Sequence, residues 1–463
     1  MLMGIRFQAL PTPEQRLTLS QWIGCARVIW NAKCDEHRYY TTFARKYLPV
    51  GTYAPVDQKY SQFKDKELTP WLSQCPSQIL RNSAVNWYKT YNNFIKGKCG
   101  KPRRKKKHDN ISIHLTRELF EFQLYPDGVT RLFIGTKSNN IGFLVLKTHR
   151  KFKEPKSIRV KKKNGRYWVS FCYDDPIDES ELKTKQEHLD VLQTRTTQEL
   201  ENMVEAIDRG TCCPAQTTDA SYDFSPEQKK SLQREERKRK RLQKAMHRGE
   251  KGSNRRQKKK WRIARSYEKQ ANIREDFNHK TSKKLVKNAS VLIFEALKTK
   301  QMTKRPKAKV DEQTGRFLPN GAKRKTGLNK AILSVGWHQL EKFTEYKAHR
   351  ASKVVFKVSA YQSSQECADC GHTHPDNRKR RELFVCLGCG HRENADVNAA
   401  KVLKKRAINL IQDSGTELSQ RGVLRRDTGR GANEKTQTAE AVGAHGCESS
   451  KKKVAHATGS SLL

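Results

Sequence analysis

Two Cys-x-x-Cys pairs stand in the C-terminal third of the chain: Cys367 and Cys370, fifteen intervening residues, then Cys386 and Cys389. Four thiols at this spacing form a zinc set. Soft thiolates suit the ion, and four of them close a tetrahedron with no position left for a substrate, so such a metal is structural rather than catalytic. Each pair is followed by Gly-His (Gly371-His372 and Gly390-His391), where glycine lets the backbone turn tightly and aim its amides at sulfur. A ribbon this small has little core. Metal binding, on the order of 10 kcal/mol in comparable peptides, then supplies most of its stability. The other eight cysteines are scattered, which fits a reduced, cytosolic chain better than a disulfide framework.

Three carboxylates invite a second kind of chemistry. Asp208 follows an apolar run in AIDRG, Glu295 ends another in VLIFEAL, and Asp396 lies in NADVNAA just past the cysteines. Burying an unpaired charge is costly, and three acids brought together repel one another unless a cation holds them. Magnesium or manganese would do so, being hard and oxygen-seeking. A pair of such ions about 4 Å apart can activate water and stabilise the leaving oxygen of a phosphodiester. Each acid also has a plainer use. Asp208 can cap a turn, Glu295 can pair with Lys298, and Asp396 is placed to N-cap the following helix. Spacing alone does not show that the three converge.

The rest of the chain says what surrounds these groups. Lys plus Arg number 94 against 48 Asp plus Glu, a net charge of +46 over 463 residues. This excess calls for a polyanion, because each cation that neutralises a phosphate releases a condensed counterion. A membrane-surface role is the weaker reading. No run of about twenty apolar residues is present to span a bilayer, and MLMGIRFQALPTPEQ lacks a secretory pattern.

Residues 4–10 alternate like a strand, and Thr12-Pro13-Glu14-Gln15 opens a helix with a capping box. A second helix is expected from Ser77 to Lys96, its Leu80, Ala84, Trp87, Tyr91 and Phe94 reading as core packing. The basic loop KGKCGKPRRKKK follows. Residues 110–175 read as an antiparallel sheet or barrel that takes in the N-terminal strand, with a hairpin turn at Asn164-Gly165. Residues 176–203 are polar and read as a linker, part of it helical. The stretch 226–270 reads as a charged helical hairpin, 301–327 as a loop, Leu328–Ala351 as one helix, and 413–463 as a disordered tail.

Taken together and in order, PTPEQ with WIGCARVIWN, KGKCGKPRRKKK, AIDRG, REDFNHKTSKKLV, VLIFEALKTKQMTK, GLNKAILSVGWHQL and the cysteine ribbon with NADVNAA resemble the TnpB (OrfB) proteins of bacterial insertion sequences. These are RNA-guided nucleases, often called transposases, related to type V CRISPR effectors. The resemblance implies a multidomain α/β protein. It would carry a β-barrel (1–10 and 110–175), a helical recognition region (11–109), a split ribonuclease H-like (RuvC) nuclease (204–366 and 390–412) and an inserted zinc ribbon (367–389). It places the catalytic triad, and its Mg2+ or Mn2+, on Asp208, Glu295 and Asp396, with structural Zn2+ on Cys367, Cys370, Cys386 and Cys389. It also implies a guide RNA from the protein's own locus, a double-stranded DNA target beside a short adjacent motif, and a monomeric ribonucleoprotein in the bacterial cytoplasm at the nucleoid. Nucleic-acid contacts are expected from Lys101, Arg103, Arg104, Lys105, Lys106, Lys107, Arg274 and Lys280. The alternatives are a silent RNA-guided repressor on the same scaffold and a true DNA transposase. The polar 176–203 segment, TCCPAQTTDA after AIDRG and the tail depart from the family pattern.

Overall fold

The computed structural model describes residues 2–49, 56–107, 112–174 and 182–426. Strand β1 (Leu2–Leu10) leads through Pro11 into helix α1 (Pro13–Thr42). The capping box forms: the Gln15 amide donates to Thr12 Oγ1 at 3.3 Å, and the Thr12 amide to Gln15 Oε1 at 3.0 Å. Leu19, Trp22, Ile23, Ala26, Ile29 and Trp30 are buried along one stripe of α1. Helix α2 (Ser77–Ile95) lays Ile79, Leu80, Ala84 and Trp87 inward.

Strands β2 (Ser112–Thr116), β3 (Phe120–Leu124), β4 (Thr130–Gly135), β5 (Asn140–Lys147), β6 (Ser157–Lys163) and β7 (Arg166–Asp174) join β1 in a seven-stranded antiparallel sheet of order β2-β6-β7-β1-β5-β4-β3. The N-terminal strand is thus central, between β7 and β5. Asn164 and Gly165 both have positive φ (51° and 76°), as the Asn-Gly hairpin turn requires. Phe7, Leu115, Leu132, Leu144 and Val169 are wholly buried and share one apolar core with α1 and α2. Sheet and helices, expected as two regions, therefore stand on a single core.

The segment read as a linker holds two helices, α3 (Lys185–Gln193) and α4 (Thr197–Met203). Each opens with a capping box, Thr184 with Glu187 and Thr196 with Glu199. Leu189, Leu192 and Leu200, three leucines in a polar background, anchor them in a second core.

Next come β8 (Val204–Ile207), β9 (Ala215–Gln216), β10 (Ser221–Tyr222), α5 (Pro226–His247), α6 (Asn254–Asn288) and β11 (Val291–Glu295). They are followed by α7 (Thr299–Met302), β12 (Lys309–Val310), β13 (Phe317–Leu318), α8 (Ala322–Val335), α9 (Trp337–Arg350) and β14 (Val354–Val358). Strands β14, β11 and β8 run parallel, and β9 returns antiparallel to the end of β8 through an Asp208–Gln216 bridge. The one helix expected from Leu328 to Ala351 is two, because Gly336 sits at φ 83° between α8 and α9. The 301–327 loop contains the β12–β13 hairpin and the start of α8.

Helices α5 and α6 form the charged hairpin with a largely polar seam. Arg239 Nη1 donates to Gln270 Oε1 (2.8 Å), Ser266 Oγ to the Glu235 carbonyl (3.0 Å) and Gln270 Nε2 to the Leu232 carbonyl (3.1 Å).

Strands β15 (Leu383–Val385) and β16 (Arg392–Asn394) belong to the ribbon, and α10 (Ala395–Gln412) follows directly. Alternate strand residues face opposite ways. Val291, Ile293 and Phe356 pack with α3, α4 and α10, while Leu292, Phe294 and Val355 pack with α6 and α9. The hairpin β17 (Thr416–Leu418) and β18 (Leu424–Arg426) seats Leu424 in the second core, so 413–426 is folded rather than tail-like. Residues 427–463, the rest of the expected tail, lie outside the described residues. Among the described residues no helix is long and apolar enough to cross a membrane.

Candidate active site and metal centre

Parallel pairing of β8 with β11 sets Ile207 opposite Phe294, so the next residues, Asp208 and Glu295, emerge together at the same sheet end. The backbone of Asp208 is fixed by two bonds to Gln216, each 2.9 Å. Burial, and then the Glu295 and Asp396 carboxylates, push the Asp208 carboxyl well above the usual carboxylate range, while Arg378 pulls the other way. Glu295 is itself only 6% exposed. Arg209 lies buried beneath the pair. Its amide approaches Glu295 Oε1 (3.4 Å), Nη2 donates to the Glu295 carbonyl (2.5 Å), and Nη1 to Glu341 Oε2 (2.8 Å). Lys357 Nζ meets the other Glu341 oxygen at 2.6 Å. A buried ion network thus ties the ends of β8, β11 and β14 to α9.

The third acid arrives by another route. The N-cap of α10 is Asn394, whose Oδ1 accepts from the Asp396 amide at 2.9 Å. Asp396 therefore does not cap, and its carboxylate is left for Arg378, whose Nη2 lies 2.6 Å from Oδ1. Arg378 comes from the turn Pro375–Arg378 within the ribbon.

In the ribbon, Cys370 and Cys386 sulfurs lie 3.5 Å apart and Cys367 and Cys389 sulfurs 3.7 Å apart. These distances are near the edge, about 3.8 Å, of a tetrahedron built on Zn–S bonds of about 2.3 Å. Gly371 and Gly390 turn at φ 76° and 77°. The two knuckles repeat one pattern: the Gly371 amide donates to the Cys367 carbonyl and the Gly390 amide to the Cys386 carbonyl, at 3.0 and 3.1 Å. Burial opposes ionisation of Cys386, but the Cys389 and Gly388 amides and the Cys370 thiol bring it down to about 6. The His391 amide favours the Cys389 thiolate, yet its sulfur neighbours drive that thiol up to about 12. The sulfurs compete for negative charge, a competition that a soft dication held by all four would relieve. Among the described residues these four form the one group of three or more Cys, His, Asp or Glu whose ligand atoms all lie within 4.8 Å of one another. The three carboxylates are more widely set.

Asn398 joins the centres. Its Oδ1 accepts from the Ala368 amide (2.9 Å), and its Nδ2 donates to the Glu366 carbonyl (2.7 Å). The ribbon is thereby pinned to the helix that carries Asp396.

The basic loop is partly anchored. Asn31 bonds the Lys105 backbone in both directions (2.8 and 3.1 Å), and Trp30 Nε1 donates to the Arg103 carbonyl (2.9 Å). Lys105 itself lies 3.3 Å from the Trp30 ring centroid, and burial lowers its pKa to about 8. Its charge is engaged inside the fold. Lys101, Arg103, Arg104, Lys106 and Lys107 are exposed, Arg104 within 3.2 Å of Asp35. Lys280 is exposed and bonds Asp276, whereas Arg274 is half-buried. Neither is part of the carboxylate site.

Sequence reasoning missed Arg209, Glu341, Arg378 and Asn398. Arg209 directly follows Asp208, but nothing marked it as buried. Arg378 stood within the basic run NRKRR, where one arginine looks like its neighbours.

These features define a class: a strongly basic α/β protein with acids at the ends of adjacent parallel strands and a four-cysteine ribbon beside the last acid. Three family models match in chain order, a "Helix-turn-helix domain" of OrfB_IS605 at 1–38, the "Probable transposase" OrfB_IS605 at 183–306 and the "Cas12f1-like, TNB domain" at 337–403. OrfB_IS605 models thus match the N-terminal and central stretches of the chain, and the Cas12f1-like model matches the stretch that holds the ribbon. The first match falls on β1 and most of α1, one strand and one helix. The chain is 29% identical over 407 residues to the "Putative RNA-guided DNA endonuclease InsQ" of Escherichia coli K12, covering 86% of this chain and 91% of that protein. It is 31% identical over 153 residues, about a third of each chain, to the CRISPR-associated endodeoxyribonuclease Cas12f1 of Sulfoacidibacillus thermotolerans. A cryo-EM structure of a Cas12f1–sgRNA–target DNA complex aligns at TM-score 0.48 and 12% identity over 87% of this chain and 98% of that one.

Proposed function

We propose that this chain is an RNA-guided DNA endonuclease that hydrolyses phosphodiester bonds at Asp208, Glu295 and Asp396 within a ribonuclease H-like (RuvC) domain. The carrying observation is the register that brings Asp208 and Glu295 to one sheet end, where burial, then Glu295 and then Asp396 push the Asp208 carboxyl up. That repulsion, in an all-oxygen donor set, fits a hard divalent cation, Mg2+ or Mn2+. When bound, the cation would supply charge neutralisation at the scissile phosphate and a more acidic water. Asp208, Glu295 and Asp396 would hold it. Arg209 and Glu341 position Glu295, and Arg378 orients Asp396 and screens its charge. Zinc on the four cysteines is structural in this reading.

The partners are a guide RNA and double-stranded DNA beside a short motif, with base pairing reading most of the target. The net charge of +46 and the relatives' names support this. Exposed cations of the basic loop and of the α5–α6 hairpin carry the backbone contacts, in a monomeric ribonucleoprotein acting in the bacterial cytoplasm. A second reading, guided binding without cutting, is favoured by one observation: Asp396 is occupied by Arg378.

The test is a guided plasmid-depletion assay. The protein, with RNA from its own locus and Mg2+, meets a library randomised beside a matched target. Depletion of one motif, lost in Asp208→Asn, supports cutting. Motif-dependent binding without depletion selects the silent reading. Cutting that survives Asp208→Asn removes the assignment.

A further inference from the structure

A cleft of about 260 Å3 opens between α1, α2 and the basic loop, away from the carboxylates. It is smaller than the roughly 300–1,000 Å3 of sites for drug-sized ligands, a size for one planar ring. Its wall is aromatic. Trp87 and Tyr91 stack with centroids 5.4 Å apart at 22°, and His37 lies 4.7 Å from Tyr91 with its Nε2 2.8 Å from the phenol oxygen. Its rim is mostly cationic, with Arg38, Lys101, Arg103 and Arg104, the last paired with Asp35.

The stripe Trp87, Tyr91, Phe94 read in sequence as core packing. Trp87 is indeed buried, at 1% exposure, but Tyr91 and Phe94 are only half-buried, so the stripe runs out of the core into this cleft. The Trp87 Nε1–H is closed to solvent and is held by the Cys34 thiol, which burial keeps protonated and which is a weak acceptor. Both residues line the inner wall of the cleft, which leaves Tyr91 as its accessible ring. Burial, with the Lys101 charge, holds His37 below its ordinary range, so it presents a neutral ring.

We propose that this cleft receives one unstacked nucleotide of a single-stranded nucleic acid, its base against Tyr91 and its phosphate on Arg103 and Lys101. Aromatic platforms beside cations are how single strands are held without sequence reading. The inference rests on the nucleic-acid reading above and adds a site to it. An acidic peptide would use the cations but leave the aromatic wall without purpose.

The test uses the full chain and 15-nucleotide single strands, an RNA carrying one 4-thiouridine and a DNA carrying one 4-thiothymidine. After irradiation, adducts are mapped by mass spectrometry. Affinities are read by anisotropy at one fixed salt concentration for wild type, Tyr91→Ala and Tyr91→Phe. Adducts are expected on the peptide bearing Trp87 and Tyr91. Tyr91→Ala should weaken single-strand binding about five- to a hundredfold, with duplex binding unchanged. Tyr91→Phe keeps the stack and should stay within about twofold of wild type. The stronger of the RNA and DNA arms names the strand. Adducts only elsewhere, unchanged Tyr91→Ala affinity, or adducts displaced by an acidic peptide but not by excess unlabelled strand overturn the site. If Tyr91→Ala fails to fold, the wild-type adduct map decides alone. Binding in both arms with no role for Tyr91 sinks only this inference. No binding to any nucleic acid sinks the proposed function as well.

Discussion

The ribbon brings four sulfurs to 3.5 and 3.7 Å within a stretch of 23 residues, 367–389. The carboxylates of Asp208, Glu295 and Asp396 come from two strands and a helix far apart in sequence; Asp208 and Glu295 meet, but the three together do not all lie within 4.8 Å of one another. The ribbon's geometry is local: two short knuckles with a left-handed glycine after each cysteine pair. The acidic site depends on a parallel register, a buried arginine network and the helix that the ribbon holds. Local donors can gather themselves around a metal. Distant donors need a whole domain to gather them, and every weak link in that domain shows at the site.

Removing the metal tests the contrast most strongly. On the order of 10 kcal/mol of zinc binding should vanish with Cys386→Ser or a zinc chelator. Limited proteolysis should then cut within the ribbon and spare the N-terminal core, with zinc release followed by a colorimetric dye. Equal sensitivity of both regions would show that the ribbon is not independently stapled.

Asp208→Asn comes next. Losing several kcal/mol of metal-borne charge stabilisation should cost on the order of 10³-fold in guided cleavage, with RNA binding retained in a gel-shift. The same variant has a pH signature. The folded-state pKa of Asp208 is raised, so above about pH 4 the native state holds a proton that the unfolded chain releases. Stability should therefore fall as pH rises from there to the folded-state pKa. In magnesium-free buffer the melting temperature should show this decline in wild type and not in Asp208→Asn. Added Mg2+ should offset it. A parallel decline in both proteins would assign the slope to other groups.

Asn398→Ala probes the link between the centres. It strips partners from the Ala368 amide and the Glu366 carbonyl, at a cost of about 2–4 kcal/mol. Chemical denaturation should show the loss, and cleavage should drop while zinc stays bound. Lys105→Gln should have the smallest effect. Its contact with Trp30 is worth about 0.5–2 kcal/mol, so stability should dip slightly and nucleic-acid affinity hardly move. A large loss of affinity would return Lys105 to the binding surface.

The legibility of each part follows the same contrast. The capping box at Thr12, the Asn164-Gly165 turn and the cysteine knuckles were readable because their causes lie within a few residues. The three acids were recognisable as strand-end and helix-start residues. Their neighbours were not, because Arg209 and Glu341 meet across 132 positions. The polar 176–203 segment misled because three buried leucines outweighed its composition. Gly336 was visible, but only its left-handed φ split the expected helix. The N-cap of α10 went to Asn394, two residues before the acid that seemed suited to it.

Helix α6 spans 35 residues without a break, a rod of about 52 Å at about 1.5 Å per residue. Its far end is the tip of the charged hairpin, and its near end runs through two residues, Ala289 and Ser290, into β11 and Glu295. The polar seam joins it to α5, and the apolar core around Leu285 and Val286 holds its near end. One unbroken helix thus links the charged hairpin to the strand that ends in Glu295. The hairpin tip and that carboxylate share one covalent span, with no connection longer than those two residues between helix and strand.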